Sequence, residues 1–291
     1  MSWLKVNIKK IVVIVFITSV VLSIGVFFYL YQISSGQAKK LRISFLDVGQ
    51  GDAELIQTAE GQNILIDGGP NKSVLSALNS RLPWWDKTFE VVVLTHEHDD
   101  HLAGLIEVLK RYKVGKIYLA SSIKETPLLK VFTDLATEKN VPINHLALDY
   151  KIKFGENYLN LLVATGTLRG GGEFENENSL IEQLVTPSDD NILLMGDAGK
   201  AREEVMINGN AKLHAQIIKI GHHGSDGGTT ENFLKFVAAP IVVVSVGQGN
   251  KYGHPSPRIL QRFKRLNESV FRTDLLGTIT FSYQNKAWSL D

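Results

Sequence analysis

A stretch of 21 residues without a charged side chain, Ile11–Tyr31, constrains what this chain can fold into more than any other feature. As a helix rising about 1.5 Å per residue, it is roughly 30 Å long, which is the thickness of the hydrocarbon core of a bilayer. The apolar region of a cleaved signal peptide is usually shorter, about 7–15 residues. The stretch therefore predicts a single membrane-spanning signal anchor, with cleavage and secretion as the alternative.

The charges around this stretch predict its orientation. Lys5, Lys9 and Lys10 precede it, so the positive-inside rule predicts a cytoplasmic N-terminus and an extracellular remainder. Three basic residues beyond the stretch weaken this asymmetry: Lys39, Lys40 and Arg42. We accordingly predict an anchor over residues 1–31, a polar linker over residues 32–40 and one domain over residues 41–291.

Composition excludes several kinds of chemistry. The chain has no cysteine, which rules out disulfides, a thiol nucleophile and thiolate metal ligands. Any metal ion must therefore be held by histidine, aspartate or glutamate. Formal net charge is +1, and without the three N-terminal lysines it is −2. The basic footprint expected for non-specific nucleic-acid binding is thus missing.

Short apolar runs alternate with helical segments after residue 41. This order predicts an α+β domain in which two sheets pack face to face with helices outside. The helical spacing covers five segments: Lys72–Arg81, Ala103–Tyr112, Pro127–Lys139, Thr230–Val237 and Pro257–Leu266. Four strand candidates end just before polar residues: Asn63–Ile66, Phe89–Leu94, Asn191–Met195 and Ala215–Ile220.

Four polar residues follow those strands, namely Asp67, His96, Asp197 and His222. Strand ends are rigid supports on which ligands need little ordering when they bind. We therefore predict that these side chains contribute to one site.

The segment after Phe89–Leu94 reads H-x-H-x-D-H, from His96 to His101. Imidazole nitrogens and carboxylate oxygens are suitable donors for zinc and similar divalent ions. In a loop leaving a strand, His96 and His98 can point to one site, and Asp100 and His101 to a neighbouring one, as in centres whose ions lie about 3.5–4 Å apart. The alternative is a solvated loop in which Asp99 or Asp100 caps the next helix.

The segment "THEHDDH" resembles the signature of the metallo-β-lactamase superfamily. Further segments match in order: "FLDVGQGDAELI", "ILIDGG", "NENSLIEQL", "ILLMGDA", "IIKIGHHGS" and "VSVGQGNKYGHPSP". Together they resemble the hydrolase-like domain of ComEC-type competence proteins and their stand-alone relatives, over residues 41–282. The resemblance implies a four-layer αββα sandwich behind the single transmembrane helix, and metal-dependent hydrolysis.

The resemblance also implies roles for individual residues. His96 and His98 would hold the first metal ion; Asp100, His101 and His222 would hold the second, with His223 as the alternative to His222. Asp197 would bridge the two ions, and Asp67 and Asp47 would orient ligands from outside. Zinc is the expected ion at both sites, and manganese is the alternative.

One departure from the superfamily concerns the first metal ion. Many members supply a further histidine between the first motif and the bridging aspartate, but this interval contains only His145, which we expect to be a surface or core residue. Asn178 and Ser179 stand in the corresponding place. Their oxygens are poorer zinc donors than imidazole, so the first ion is expected to be held more weakly.

The remaining expectations concern the substrate. Asp100, Asp197 and His254 are the predicted catalytic residues, and His254 would contact a phosphate or donate a proton. Substrate contacts are expected from Asn178, Ser179, His223, Ser225 and His254. A basic segment would favour an anionic substrate if its N-terminal end faces the cleft: Arg258, Arg262, Lys264 and Arg265.

These expectations lead to two hypotheses. The first is a membrane-anchored extracellular phosphodiesterase or nuclease acting on DNA or a cell-envelope polymer, with a link to DNA uptake. The second is a non-catalytic surface module that binds DNA or a protein partner and has an incomplete metal site. The sequence identifies no protein partner.

Overall fold

The computed structural model describes residues 2–37, 40–164, 174–209 and 212–291, which fall into two units divided between residues 39 and 40. The first unit contains helix α1, Ser2–Gln37. Within it, Lys9–Tyr29 is long and apolar enough to cross a membrane, with a mean hydropathy of 2.9, and it is the one such span among the described residues. The helix continues six residues into the predicted linker, of which residues 38–39 lie outside the described residues.

The second unit contains an eight-stranded sheet in the order β17-β16-β1-β2-β3-β5-β7-β8. Its strands are β1 Leu41–Phe45, β2 Glu54–Gln57, β3 Asn63–Ile66, β5 Val91–Leu94, β7 Ile117–Ala120, β8 Ile143–Leu146, β16 Ile279–Gln284 and β17 Ala287–Leu290. β3, β5, β7 and β8 run parallel. A separate two-stranded ladder pairs β4, Thr88–Phe89, with β6, Lys113–Val114.

The same unit contains a seven-stranded sheet in the order β15-β14-β13-β12-β11-β10-β9. Its strands are β9 Tyr150–Phe154, β10 Asn157–Leu162, β11 Ile181–Val185, β12 Ile192–Leu194, β13 Ile217–Lys219, β14 Ile241–Val244 and β15 Ser269–Arg272. β12 to β15 run parallel. Parallel neighbours require crossover connections, and helices provide most of them.

The helices of this unit are α2 Ser73–Asn79, α3 Asp99–Arg111, α4 Pro127–Glu138, α5 Phe174–Glu177, α6 Lys200–Asn208, α7 Glu231–Val237, α8 Pro257–Leu266 and α9 Thr273–Leu276. Burial separates them into two outer layers. Leu102 of α3 and Phe132 of α4 pack in one core with the first sheet, and Phe233 of α7 and Phe263 of α8 pack in another with the second sheet.

The two sheets face each other across a third core, as the alternation in β5 shows. Val92 packs with the outer helices, whereas Val93 packs with residues of the second sheet such as Leu159 and Ile192. Successive side chains of a strand point to opposite faces, so one apolar run can serve both layers. The predicted four-layer αββα sandwich is confirmed.

Candidate metal centre

Aspartate and histidine side chains follow parallel strands of both sheets. Asp67 comes directly after β3 and His96 two residues after β5, while Asp197 and His223 follow β12 and β13. All four are buried, with at most 2% exposure. Carboxyl ends of parallel strands share one edge of a sheet, the usual place for ligands in such folds. Both sheets therefore contribute side chains to one cluster.

The carboxylate of Asp67 determines which nitrogen of two histidines carries the proton. Its Oδ2 atom accepts hydrogen bonds from Nδ1 of His101 and from the hydroxyl of Thr95, both at 2.6 Å. Because the Thr95 hydroxyl donates to Asp67, it accepts from Nδ1 of His96 at 3.0 Å. Each neutral imidazole then presents an unprotonated Nε2, the form that binds a metal ion.

One group of ligand atoms consists of Asp100, His101 and His223, which lie within 4.8 Å of one another. Nε2 of His223 is 3.3 Å from Oδ2 of Asp100 and 3.7 Å from Oδ1 of Asp197. Nδ1 of His223 donates to the carbonyl oxygen of Ser245 at 3.0 Å, which leaves its Nε2 unprotonated. This group corresponds to the predicted second site.

The other group corresponds to the predicted first site. It consists of His96, His98 and Asp197, whose ligand atoms again lie within 4.8 Å of one another. Nε2 of His96 is 3.7 Å from Oδ2 of Asp197, whereas Nε2 of His101 is 3.3 Å from Oδ1. Asp197 thus presents one carboxylate oxygen to each group, as a bridging ligand would.

The structure corrects the prediction that His222 completes the second site. His223, the alternative, stands there with Asp100 and His101. Nε2 of His222 lies instead 4.0 Å from Oδ2 of Asp197, and its side chain is 25% exposed. Two adjacent histidines were indistinguishable by sequence, because the direction of each depends on backbone angles that no motif specifies.

A buried aspartate and lysine lie beside His101 and His223, and neither was predicted as a site residue. Asp52 Oδ2 accepts from Nζ of Lys219, which also donates to the carbonyl oxygen of Gly196 at 3.1 Å. Oδ1 of Asp52 is 3.3 Å from Nδ1 of His223. A charged residue inside the apolar strand "AQIIKI" was the available signal for Lys219.

Asp47, predicted to orient a ligand, is not brought to the cluster. It is exposed, and its Oδ1 accepts a hydrogen bond from the backbone N–H of Gly49 at 3.2 Å. Asp52, five residues later in the same loop, is the aspartate buried among the ligands.

The aspartates predicted as helix caps have another position. His98 is the N-cap of α3, without a side-chain capping bond, and Asp99 and Asp100 lie in its first turn. Negative side chains are favourable there because of the helix dipole.

Burial and mutual charge interactions shift the pKa values of the clustered histidines and aspartates. Burial opposes protonation of His101, but Asp197 and Asp67 outweigh it and raise the pKa of His101 well above its ordinary value. Burial would raise the pKa of Asp197, but His101 and His223 hold it well below its usual range. Burial lowers the pKa of His96, and His101 lowers it further.

Several buried polar atoms of the cluster lack a hydrogen-bond partner among the described residues: Nε2 of His96, Nε2 of His101 and Oδ1 of Asp197. Unsatisfied buried groups are rare and unfavourable. Cations placed between these atoms would satisfy all three, and this donor set suits zinc or manganese. The residues therefore fit a pair of divalent ions.

One of the two residues in the place of the missing imidazole, Ser179, supports Asp197. The Ser179 hydroxyl accepts a hydrogen bond from the backbone N–H of Asp197 at 3.3 Å, and Asn178 is buried beside it. His145 is exposed on the edge strand β8, as expected of a surface histidine.

His254, one of the predicted substrate residues, lies beside the partly exposed His222. Its ring is 6.0 Å from that of His222 and stacks on Tyr252 with centroids 5.8 Å apart. Ser225 is partly exposed, and its hydroxyl accepts from the N–H of Gly227 at 3.3 Å.

Basic residues of α8 are largely engaged within the chain. Arg262 donates to the carbonyl oxygens of Gly228 and Thr229. Arg265 pairs with Glu231 at 3.1 Å and Arg258 with Asp226 at 3.5 Å, both on the surface. The expectation that this helix attracts an anionic substrate therefore gains no support from the structure.

Curated bacterial proteins resemble this chain over most of its length. ComE operon protein 3 of Bacillus subtilis (strain 168) is 26% identical over 266 residues, covering 84% of this chain and 33% of that protein. Recombination protein 2 of Haemophilus influenzae is 25% identical over 259 residues, covering 83% of this chain and 29% of that protein. The chain thus spans about a third of the length of these relatives.

Solved structures share the fold at low identity. The metallo-beta-lactamase fold protein YhfI from Bacillus subtilis has a TM-score of 0.57 at 13% identity, covering 84% of this chain and 100% of its own. CmlA, a diiron beta-hydroxylase from Streptomyces venezuelae, has a TM-score of 0.56 at 12% identity, covering 84% and 54%. A diphosphatase from the PhnP family has a TM-score of 0.51 at 15% identity, covering 84% and 98%.

Residues 46–248 match the family described as the metallo-beta-lactamase superfamily. With the relatives above, this match confirms the resemblance found in the sequence. The chain belongs to the metallo-beta-lactamase superfamily and is related there to the competence proteins of the ComEC type.

Proposed function

We propose that the domain is a metal-dependent phosphodiesterase with a two-ion centre. The observation that carries the proposal is Asp197, a buried carboxylate with one oxygen facing His96 and the other facing His101 and His223. His96, His98 and Asp197 would hold the first ion. Asp100, His101, His223 and Asp197 would hold the second, with zinc expected and manganese as the alternative.

Such a pair of ions supplies Lewis acidity and lowers the pKa of a water molecule towards 7. The chain's own residues position the reactants. Asp100 is one-third exposed, unlike the buried Asp197, so its carboxylate stands where a nucleophilic water can reach it. Asp197 and Asp100 would orient that water towards the scissile bond. Asp67 would keep His96 and His101 in their metal-binding form.

His254 would contact the substrate as a hydrogen-bond donor. Burial, His222 and His223 lower its pKa, which favours the neutral imidazole. A neutral imidazole can donate an N–H to a phosphoryl oxygen but is a poor acid towards a leaving group. We therefore assign His254 to substrate binding and not to proton delivery.

A phosphodiester substrate is favoured over a lactam by two arguments. The relatives that cover most of this chain are competence and recombination proteins, and a diphosphatase shares the fold. The partly exposed His254 ring, 6.0 Å from that of His222, is a donor that suits a phosphoryl oxygen. DNA or a cell-envelope phosphodiester is the expected class.

Hydrolysis of bis(p-nitrophenyl) phosphate by the full-length chain, loaded with Zn²⁺ or Mn²⁺, tests this proposal. Asp197→Ala should lower kcat/KM by at least about 100-fold, since a lost ligand should cost more than a lost orienting group. Asp134→Ala, an exposed aspartate on α4, is the matched control. Bound metal without hydrolysis in either protein would instead favour a non-catalytic DNA- or partner-binding module.

We further propose that α1 anchors the chain in the cell membrane with the domain outside. The absence of cysteine permits a direct test, since single cysteines can be introduced without background labelling. In intact cells, a membrane-impermeant maleimide should label Lys251→Cys, on an exposed loop, but not Ser2→Cys. Labelling of Ser2→Cys alone would reverse the topology, and release of labelled chain into the medium would show cleavage.

A connection with DNA uptake would require a partner. The relatives named for competence and recombination are about three times as long as the segment they share with this chain. The described residues contain one candidate span, and we propose that a role in uptake would involve a separate membrane protein.

A further inference from the structure

The ligand group of the first ion offers two imidazoles and one carboxylate, whereas that of the second ion offers two imidazoles and two carboxylates. It contains His96, His98 and the bridging Asp197. Ser179 stands in the place from which many superfamily members are expected to supply a further histidine, and its hydroxyl accepts a hydrogen bond from the backbone N–H of Asp197. A four-coordinate ion would therefore need another donor from this chain or from solvent.

His222 stands on the first-ion side of Asp197. Oδ2 of Asp197, the oxygen nearest His96, is 4.0 Å from Nε2 of His222. The oxygen that faces the second group, Oδ1, is 3.7 Å from Nε2 of the adjacent His223. The imidazoles of His222 and His223 thus face different oxygens of the Asp197 carboxylate.

The backbone at this point is arranged to separate the two side chains. His222 and His223 both have positive φ values, 48° and 54°. Residues other than glycine rarely adopt this region, and such strain persists where function requires it. The N–H of His222 is held by the carbonyl oxygen of Gly196 at 3.2 Å, next to Asp197.

Asn176 supplies the second, independent observation. Its side-chain amide lies 3.4 Å from Nδ1 of His222, with Nδ2 as the nearer atom. Oδ1 of Asn176 is buried without a hydrogen-bond partner among the described residues. Oxygen and nitrogen of an amide are assigned from hydrogen bonding and exchange by a flip. After the flip, Oδ1 accepts Nδ1–H of His222, and Nε2 becomes the unprotonated nitrogen.

We infer that His222 is the third imidazole of the first ion and that Asn176 orients it. The inference rests on the proposed two-ion centre. His222 would take the place of the histidine that other superfamily members supply from the interval between the first motif and the bridging aspartate. In this arrangement, Asn176 acts on His222 as Asp67 acts on His101. A shift of the partly exposed His222 ring towards Asp197 would accompany binding.

Titration of the full-length chain with Co²⁺, followed by its visible absorption and by metal content after dialysis, tests this inference. The wild-type chain should bind two ions. His222→Ala should bind the first ion at least about 100-fold more weakly and lose its absorption band, while the second ion is unaffected. His145→Ala, at an exposed histidine, is the control.

Two substitutions of Asn176 test the orienting role even if His222→Ala fails to fold. Asn176→Asp can only accept a hydrogen bond, so it should preserve first-ion affinity. Asn176→Leu cannot accept one and should weaken first-ion binding about 10-fold. If Asn176 had only a structural role, both substitutions should weaken first-ion binding.

The outcomes separate this inference from the proposed function. Two ions bound with unchanged affinity in His222→Ala would overturn the role of His222 and leave the hydrolase proposal standing. Weaker first-ion binding in Asn176→Asp than in Asn176→Leu would overturn the role of Asn176. No metal binding by the wild-type chain would overturn both proposals together.

Discussion

Nδ1 of His101 lies 2.6 Å from Oδ2 of Asp67, and both side chains are completely buried. The same oxygen accepts a hydrogen bond from the Thr95 hydroxyl, which in turn accepts one from His96. One carboxylate therefore orients a ligand of each metal group, His101 directly and His96 through Thr95.

Replacing Asp67 with asparagine should weaken the binding of both ions. The amide of Asp67→Asn would lack the negative charge and could present an N–H to His101, so the metal-binding tautomer would no longer be favoured. We expect affinity to fall about 10–100-fold for each ion. Competition with a chromogenic chelator measures it, with Asp134→Asn as control. Unchanged affinity would show that His101 is oriented by other contacts.

Replacing Thr95 with valine should selectively weaken the binding of the first ion. The change removes the hydroxyl between Asp67 and His96 but leaves the Asp67–His101 hydrogen bond intact. Thr95→Ser retains the hydroxyl and should bind like the wild type. Stepwise Co²⁺ titration of the two variants distinguishes the ions, and equal weakening of both ions by Thr95→Val would contradict the relay.

Replacing Lys219 with methionine should destabilise the fold. Lys219 and Asp52 are each 1% exposed, and removing one partner leaves a buried charge uncompensated. The expected loss in the free energy of unfolding is about 3–5 kcal/mol. Urea denaturation measures it. The double variant Lys219→Met/Asp52→Leu should lose less than the sum of the two single changes, because the partners interact; additive losses would argue against the pair.

Local patterns were sufficient to predict the elements that support the site. The apolar run before His96 contains β5, and helix α8 has the predicted bounds, Pro257–Leu266. That helix begins with a Ser256 cap and a proline in its first turn, both of which are local signals. Asp67, His96 and Asp197 lie after such strands, as predicted, so the sequence motifs and the fold point to the same cluster.

Long-range placement was beyond local patterns. Asp47 and Asp52 share one loop, and only packing against Lys219 of the other sheet decides that Asp52 is buried. Edge strand β17 is mostly exposed and therefore lacks the apolar alternation that marks a strand. The charged helix α6, Lys200–Asn208, gave no amphipathic signal because it buries the charged residues Arg202 and Glu203 together with Met206.

The pH dependence of stability should include a contribution from Glu268, which lies between α8 and β15. Its Oε2 is buried without a hydrogen-bond partner among the described residues, and burial raises its pKa from the ordinary value of 4.5 to about 7. Between these values the folded chain holds a proton that the unfolded chain has released. Its contribution to the free energy of unfolding is thus complete below pH 4.5 and is lost as pH rises through 7.

Glu268→Gln removes this dependence, because glutamine remains neutral throughout. The free energy of unfolding of the variant minus that of the wild type should therefore be larger at about pH 8 than at about pH 5. Solvent screening keeps the effect modest, since the side chain is only partly buried. Urea denaturation at both pH values measures the difference, with Glu138→Gln at the exposed end of α4 as control. Parallel pH profiles for Glu268→Gln and the wild type would show that Glu268 ionises in the fold as freely as in the unfolded chain.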